Sequence, residues 1–288
     1  MIDTIVSEMP TPLHPRRSPG CGSDWIYPLG VERVWAGASR VERAGIAREV
    51  FFFPSRDDLL YASHYAPVAR VPSARVLICP SWGMEGKQLL QWCHQLAAGV
   101  SARGGEGLVL HWPGFEDSGG DPHAVDFDTF VDACADAVRH APGPDDGRWS
   151  VAGIRLGGAA AALATKRLDA RSLVLVEPAL DPAQYFDELE RVGRRARLGA
   201  PSLAGWAFAH PLPLGLRDAD CAARVSHAIE EFAGDAVVIR HKKPERPAPS
   251  GIEVRTVPGS WQRGPFDEHR TLLVDALRWI ARTSKRVR

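Results

Sequence analysis

Between residues 75 and 178 the chain alternates between short apolar runs and segments with apolar residues at helical spacing. RVLICP (75–80), GLVLHW (107–112), RWSVAG (148–153) and SLVLVEP (172–178) read as strands. GKQLLQWCHQLAAGVSARG (86–104), FDTFVDACADAVRHA (127–141) and LGGAAAALATKRL (156–168) read as helices. A strand that is apolar on both faces must be covered from both sides, and a helix between two strands is the usual crossover of a parallel pair. The alternation therefore predicts an α/β chain with a central, mostly parallel sheet and helices on both faces.

The flanks extend this unit. IAREVFFF (46–53) and LLYASHYAP (59–67) are strand patterns joined by the turn SRDD. AVVIR (236–240) and IEVRTVP (252–258) add two strands, and FDEHRTLLVDALRWIART (266–283) is a closing helix. HKKPERPAPSG (241–251) reads as a surface loop. Residues 1–45 are rich in Pro, Gly and Arg and predict an irregular arm. Regularity also fades over 178–234, where helix-like pieces near 182–198 and 218–233 flank GWAFAHPLPLG. That stretch predicts a small helical cap over the carboxyl ends of the strands, inserted between core segments 46–177 and 235–288.

Bulk properties exclude several functions. The formal net charge of +0 over 288 residues gives no electrostatic reason to bind nucleic acid or an anionic membrane surface. Cys21, Cys79, Cys93, Cys134 and Cys221 form no Cys-x-x-Cys pair and no zinc spacing, so no metal site and mostly buried, reduced thiols are expected. No Gly-x-Gly-x-x-Gly follows the first strand and no Walker loop is present, so no cofactor is expected. MIDTIVSEMPTPLHP lacks the basic start and apolar run of a signal peptide, and no apolar run is long enough for a membrane span. The expectation is a cytoplasmic protein with a small-molecule acyl or anionic substrate. A homodimer or a protein partner is compatible with the sequence, and the oligomeric state stays open.

The segment VAGIRLGGAA (151–160) carries most of the functional information. A strand runs through Gly153-x-Arg155-x-Gly157 into an Ala-rich helix, the layout of a nucleophile elbow, Gly-x-Ser-x-Gly. Arg155 stands at the serine's place. Its guanidinium stays protonated and is not a nucleophile. LICPSWGMEGKQLL (77–90) and LHWPGFEDSGGDP (110–122) are the companion segments.

On these motifs the chain resembles the α/β-hydrolase superfamily over about residues 46–283. More narrowly, it is similar to a bacterial subgroup of hydrolase-like proteins associated with exosortase and exopolysaccharide systems. That subgroup has a Gly-x-Arg-x-Gly elbow and a Pro-Gly…Trp-Gln segment, matched here by VPGSWQRG (257–264). The resemblance implies the α/β-hydrolase fold, with an oxyanion hole built from the N–H of Leu156 and that of Trp82 or Gly83. It also places His111 where the family's turn carries an aspartate. The triad is not matched. The loop after the last strand, 258–265, holds no histidine, and the penultimate strand is followed by Arg240-His241-Lys242-Lys243, with no carboxylate.

Ligands of such sheets bind at the carboxyl ends of the strands. The residues expected there are Trp82, Glu85, His111, Trp112, Arg155, Glu177 and Trp261. Arg155 would grip an anion, with Glu177 as the partner a buried guanidinium requires. His111 or Glu177 would be the acid/base group, and Glu85, Trp112 and Trp261 would line the substrate. Three readings stay open. The first is an enzyme without a serine triad, acting on a small ester, thioester, amide or other carbonyl compound in a biosynthetic pathway. The second is a non-catalytic pseudo-hydrolase that binds a ligand or protein. The third is a hydrolase or acyltransferase with a relocated nucleophile, Ser81 or Ser260, and His241 or His269 as base. Each singled-out side chain also has a plain structural alternative: Arg155 as a locked ion pair, His111 as a core histidine, the tryptophans as packing.

Overall fold

The computed structural model describes residues 34–35, 40–69, 71–142, 148–195, 214–217, 220–241, 252–258 and 270–284. Strands β1 (Val34–Trp35), β2 (Val41–Arg43), β3 (Ile46–Ser55) and β4 (Asp58–Pro67) open the chain. Then β5 (Arg75–Cys79), helix α1 (Gly83–Ser101), β6 (Glu106–Leu110), α2 (Phe127–His140), β7 (Ser150–Ile154), α3 (Gly157–Arg167) and β8 (Ser172–Val176) alternate. Helix α4 (Pro182–Arg195), a 3-10 turn (Leu214–Arg217) and α5 (Cys221–Glu230) precede β9 (Asp235–Arg240), β10 (Ile252–Thr256) and α6 (Arg270–Ser284).

All the strands join one sheet in the order β1-β3-β4-β6-β5-β7-β8-β9-β10, with β2 also paired to β3. From β6 through β10 the pairings are parallel, whereas β4 runs antiparallel to β6 and β3 to β4. Strands β5 to β8 are buried at every residue. Alternate residues feed two cores. Leu77, Leu108, Val151 and Leu175 pack with Phe127, Phe130, Ala160 and Val225, under α2, α3 and α5. Val76, Val109, Ala152 and Val174 pack with Trp92, Leu96, Leu273 and Leu277, under α1 and α6. The period of two along each strand thus sends its side chains to opposite layers.

The part of 1–45 that is described is not irregular. β2 folds back on β3 through Ala44 (φ 51°) and Gly45 (φ 77°), with Arg43 opposite Ile46. Two central residues with positive φ are what a tight hairpin needs, and Gly45 supplies one without a Cβ penalty. The strand was not legible because Val-Glu-Arg has no run of alternation to detect. Cys79, Cys93, Cys134 and Cys221 are buried free thiols. No helix among the described residues is long and apolar enough to cross a membrane. No group of metal-ligating side chains occurs among them.

Candidate functional site

At the carboxyl ends of the parallel strands, where sheets of this kind bind ligands, stands the turn between β7 and α3. Arg155 sits there in the left-handed region, at φ 53°. Its N–H donates to the Val176 carbonyl at 3.1 Å, and its carbonyl accepts from Gly158 (2.9 Å) and Ala179 (3.0 Å). The sharp turn needs small residues on both sides. A Cβ on Gly157 would lie 2.2 Å from the Pro80 carbonyl oxygen and 2.3 Å from that of Cys79, and one on Gly153 would meet the Gly157 carbonyl at 2.5 Å. The glycines of the elbow are therefore close-approach residues. They bring the start of α3 against the loop after β5, where Ser81, Trp82 and Gly83 lead into α1. Trp82 is buried and flanks the helix in extended conformation.

The Arg155 side chain closes on Glu85. Its Nε donates to Glu85 Oε1 at 2.9 Å, and its Nη1 to the Glu177 main-chain carbonyl at 2.9 Å. Glu85 lies in the first turn of α1, where the helix N-terminus favours an anion. Its other oxygen, Oε2, accepts from Ser81 Oγ at 2.7 Å and from the Tyr185 hydroxyl at 2.6 Å. The Tyr185 ring, from α4, lies 5.4 Å from the guanidinium carbon. The pair is mostly buried, with side chains 19% and 22% exposed. Burial opposes the Glu85 charge, but the Arg155 charge and the Tyr185 and Ser81 hydroxyl donors outweigh it, so the carboxyl is held below the usual glutamate range. Burial likewise opposes the Arg155 cation, and Glu85 again more than compensates. Burial and the neighbouring Glu85 charge push the Tyr185 phenol well above its ordinary value, so it stays protonated.

Several expected residues lie elsewhere. The carboxylate that faces Arg155 is Glu85, not Glu177. Glu177 follows β8 at φ 44° and turns its Oε1 onto the His241 N–H, bracing the end of β9. It serves Arg155 through its carbonyl and, less than Glu85, through its charge. His111 is 4% exposed, and neither ring nitrogen has a hydrogen-bond partner among the described residues. Its ring contacts are Tyr61 at 4.7 Å and His94 at 6.1 Å between centroids. It follows β6 by one residue, so the strand alternation sends it to the layer of Val109, away from that of Leu110 and Trp112. Burial, with the Arg48 charge adding, pushes its pKa down to about 3, so the imidazole is neutral at physiological pH. Trp112 is fully buried, stacked on Phe130 at 4.3 Å, with its indole N–H donating to Pro80 at 2.8 Å. It shapes the loop after β5 from beneath and presents no open platform. Trp261, Ser260 and His269 lie outside the described residues.

Tyr185 had no signal in the sequence. It contacts Glu85 across 100 residues, and in α4 it reads as part of an ordinary amphipathic stripe. Arg240 closes the far side. It ends β9, donates from Nη2 to the Pro178 carbonyl at 3.3 Å, and keeps a buried Nε with no hydrogen-bond partner among the described residues.

No protein-family model matches the chain, and no curated protein does either. Solved structures do match in fold. A ferulic-acid-bound Est1E from Butyrivibrio proteoclasticus superposes with a TM-score of 0.58 at 13% identity, covering 81% of this chain and 98% of that one. A CIB-like hydrolase from Thermoplasma acidophilum gives 0.55 at 11%, over 83% of this chain and 100% of that one. A monoacylglycerol lipase from Paleococcus ferrophilus gives 0.52 at 14%, over 78% and 99%. With its mostly parallel sheet, its flanking helices and its strand-turn-helix elbow, this chain has the α/β-hydrolase fold.

Proposed function

We propose that this protein is an α/β-hydrolase-fold enzyme that acts on a small acyl or carbonyl compound, in a biosynthetic pathway, without an acyl-enzyme at the elbow. One observation carries this reading: the nucleophile's position is filled by Arg155, and its guanidinium is closed on Glu85. A cation held in an ion pair cannot attack a carbonyl. The segments that would carry the oxyanion hole keep their places in the chain. The N–H groups of Leu156 and of Trp82 or Gly83 are the donors that would hold a developing oxyanion, whether tetrahedral or enolate. Tyr185 stays protonated beside an ionised Glu85. The hydroxyl is thus placed as a relay: as its oxygen takes a proton from the substrate, it passes its own proton to Glu85 Oε2, to which it already donates. Proton transfer, cyclisation and acyl rearrangement need no more than this.

A second reading, a non-catalytic binding protein, is favoured by the saturation of Glu85. Its two oxygens accept from Arg155, Ser81 and Tyr185, and a carboxylate with that many donors is a weak base.

Turnover of a panel of short-chain aryl esters and thioesters, with fluorophosphonate labelling read by intact mass, separates these readings. The enzyme reading expects turnover with no fluorophosphonate adduct, and a drop of at least about ten-fold in kcat for Tyr185→Phe, in keeping with general acid–base contributions. No turnover across the panel favours the binding protein. An adduct on Ser81 that disappears in Ser81→Ala restores a covalent mechanism with a relocated nucleophile.

A further inference from the structure

Arg155 is not the residue best placed to receive an anion. Its Nε and Nη1 are committed to Glu85 and to the Glu177 carbonyl. Arg240 is different. It occupies the end of β9, where a triad of this fold keeps its carboxylate. Among the described residues no carboxylate lies within ion-pair distance of it. Its single hydrogen bond there runs from Nη2 to the Pro178 carbonyl, and its Nε is buried without a partner. Glu177 is the opposing charge that reaches it electrostatically, but Glu177 Oε1 is engaged by the His241 N–H.

We propose that Arg240 is the anion-recognising residue of this crevice, and that the compound bound at the elbow carries a carboxylate or phosphate which Arg240 takes end-on across Nη1 and Nη2. This rests on the acyl-compound reading above and adds to it the charge of the substrate. The physical ground is an under-satisfied guanidinium. A partly buried cation whose Nη groups meet one neutral acceptor gains more from an arriving oxyanion than one already paired. Burial and the neighbouring Arg155 charge both work against the Arg240 cation, and Glu177 does not make up the difference. The Arg155–Glu85 pair is neutral as a unit, so a ligand lying between the elbow and β9 meets its cation at Arg240. The Pro178 carbonyl holds Nη2 just before α4, the helix that carries Tyr185.

The test uses the full chain and three probes: monomethyl succinate, its neutral counterpart dimethyl succinate, and inorganic phosphate. Binding is followed by NMR titration, and turnover of the two esters is measured separately. Arg240→Gln should weaken monomethyl succinate and phosphate by at least about ten-fold, the worth of a charge-assisted bidentate contact, and leave dimethyl succinate unchanged. Arg240→Lys, which keeps the charge and loses the fork, should fall between. Unchanged binding of dimethyl succinate shows that the variant's crevice is intact. The proposal is overturned if Arg240→Gln binds both anions as wild type does, or if wild type binds neither. Anion binding lost in Arg240→Gln without turnover of either ester upholds the role of Arg240 and removes the enzyme reading. Turnover of both esters alike, untouched by Arg240→Gln, does the reverse.

Discussion

Two arginine–glutamate pairs lie at opposite ends of the parallel strands, and they differ in how they are built. Arg75 and Glu106 are the first residues of β5 and β6 and stand directly opposite each other in the parallel register. Arg75 Nε donates to Glu106 Oε1, its Nη2 to the Pro142 carbonyl at 3.2 Å, and its guanidinium lies 4.5 Å from the Trp149 ring centre. The side chains are 10% and 3% exposed. Arg155 and Glu85 are joined across 70 residues by a left-handed turn and the first turn of a helix, and solvent reaches both. The first pair is set by the sheet itself, in regular backbone, at the end opposite the carboxyl ends of the strands. The second is assembled by loops on strained backbone, at the end where ligands bind. Side chains of the same type are a fixture in one place and a site in the other.

The largest effect that tests this contrast is at the fixture. Glu106→Ala leaves a buried guanidinium without its carboxylate, which should lower the unfolding free energy by about 3–5 kcal/mol. Chemical denaturation measures it. A loss under about 1 kcal/mol would put the Arg75 pair in the class of exposed salt bridges and erase the distinction.

Glu85→Gln comes next. Arg155 keeps the Glu177 carbonyl and some solvent, so the loss near neutral pH should be about 1–3 kcal/mol, the range for hydrogen bonds to charged groups. The pH dependence is the sharper readout. The Glu85 carboxyl is held below its ordinary value of 4.5 in the folded protein. The unfolded chain therefore takes up its proton first as pH falls. The stability that Glu85 contributes is complete above that ordinary value and is lost as pH drops through the folded-state value. Denaturation curves of wild type and Glu85→Gln should converge in acid. Curves that stay parallel down to pH 3 would mean that Glu85 carries no depressed titration.

The sheet could be read from the sequence because β5 to β8 are apolar at nearly every position, a pattern that only coverage on both faces explains. The elbow could be read because its glycines are forced by close approaches, Gly157 to Pro80 and Cys79 and Gly153 to the Gly157 carbonyl. What could not be read depended on direction rather than type. Glu177 and Glu85 are equally plausible partners for Arg155 in a string of letters. The choice is made by the turn at Glu177, which aims its carboxylate at β9. His111 sits one residue past β6, and one residue of strand register decides which layer a side chain enters. Tyr185 and Arg240 come to the site from α4 and β9, and no local pattern marks a residue whose partners lie that far along the chain.

The smallest effect isolates the backbone of the elbow. Arg155→Ala and Arg155→Gly both remove the guanidinium, so their difference no longer contains the ion pair. At φ 53° an alanine Cβ costs roughly 1–2 kcal/mol, which glycine avoids. Glycine also loses more freedom on folding, about 0.5–1 kcal/mol against alanine. The glycine variant should therefore be the more stable by about 0.5–1 kcal/mol, the balance of those two effects. The same two substitutions at Arg75, in extended β5, carry the entropy cost without the relief, so there glycine should be the less stable. The sign of the Gly–Ala difference should thus reverse between the two ends of the sheet. The same sign at both positions would mean that the turn holding Arg155 stores no strain, and the elbow would then differ from the fixture by its neighbours alone.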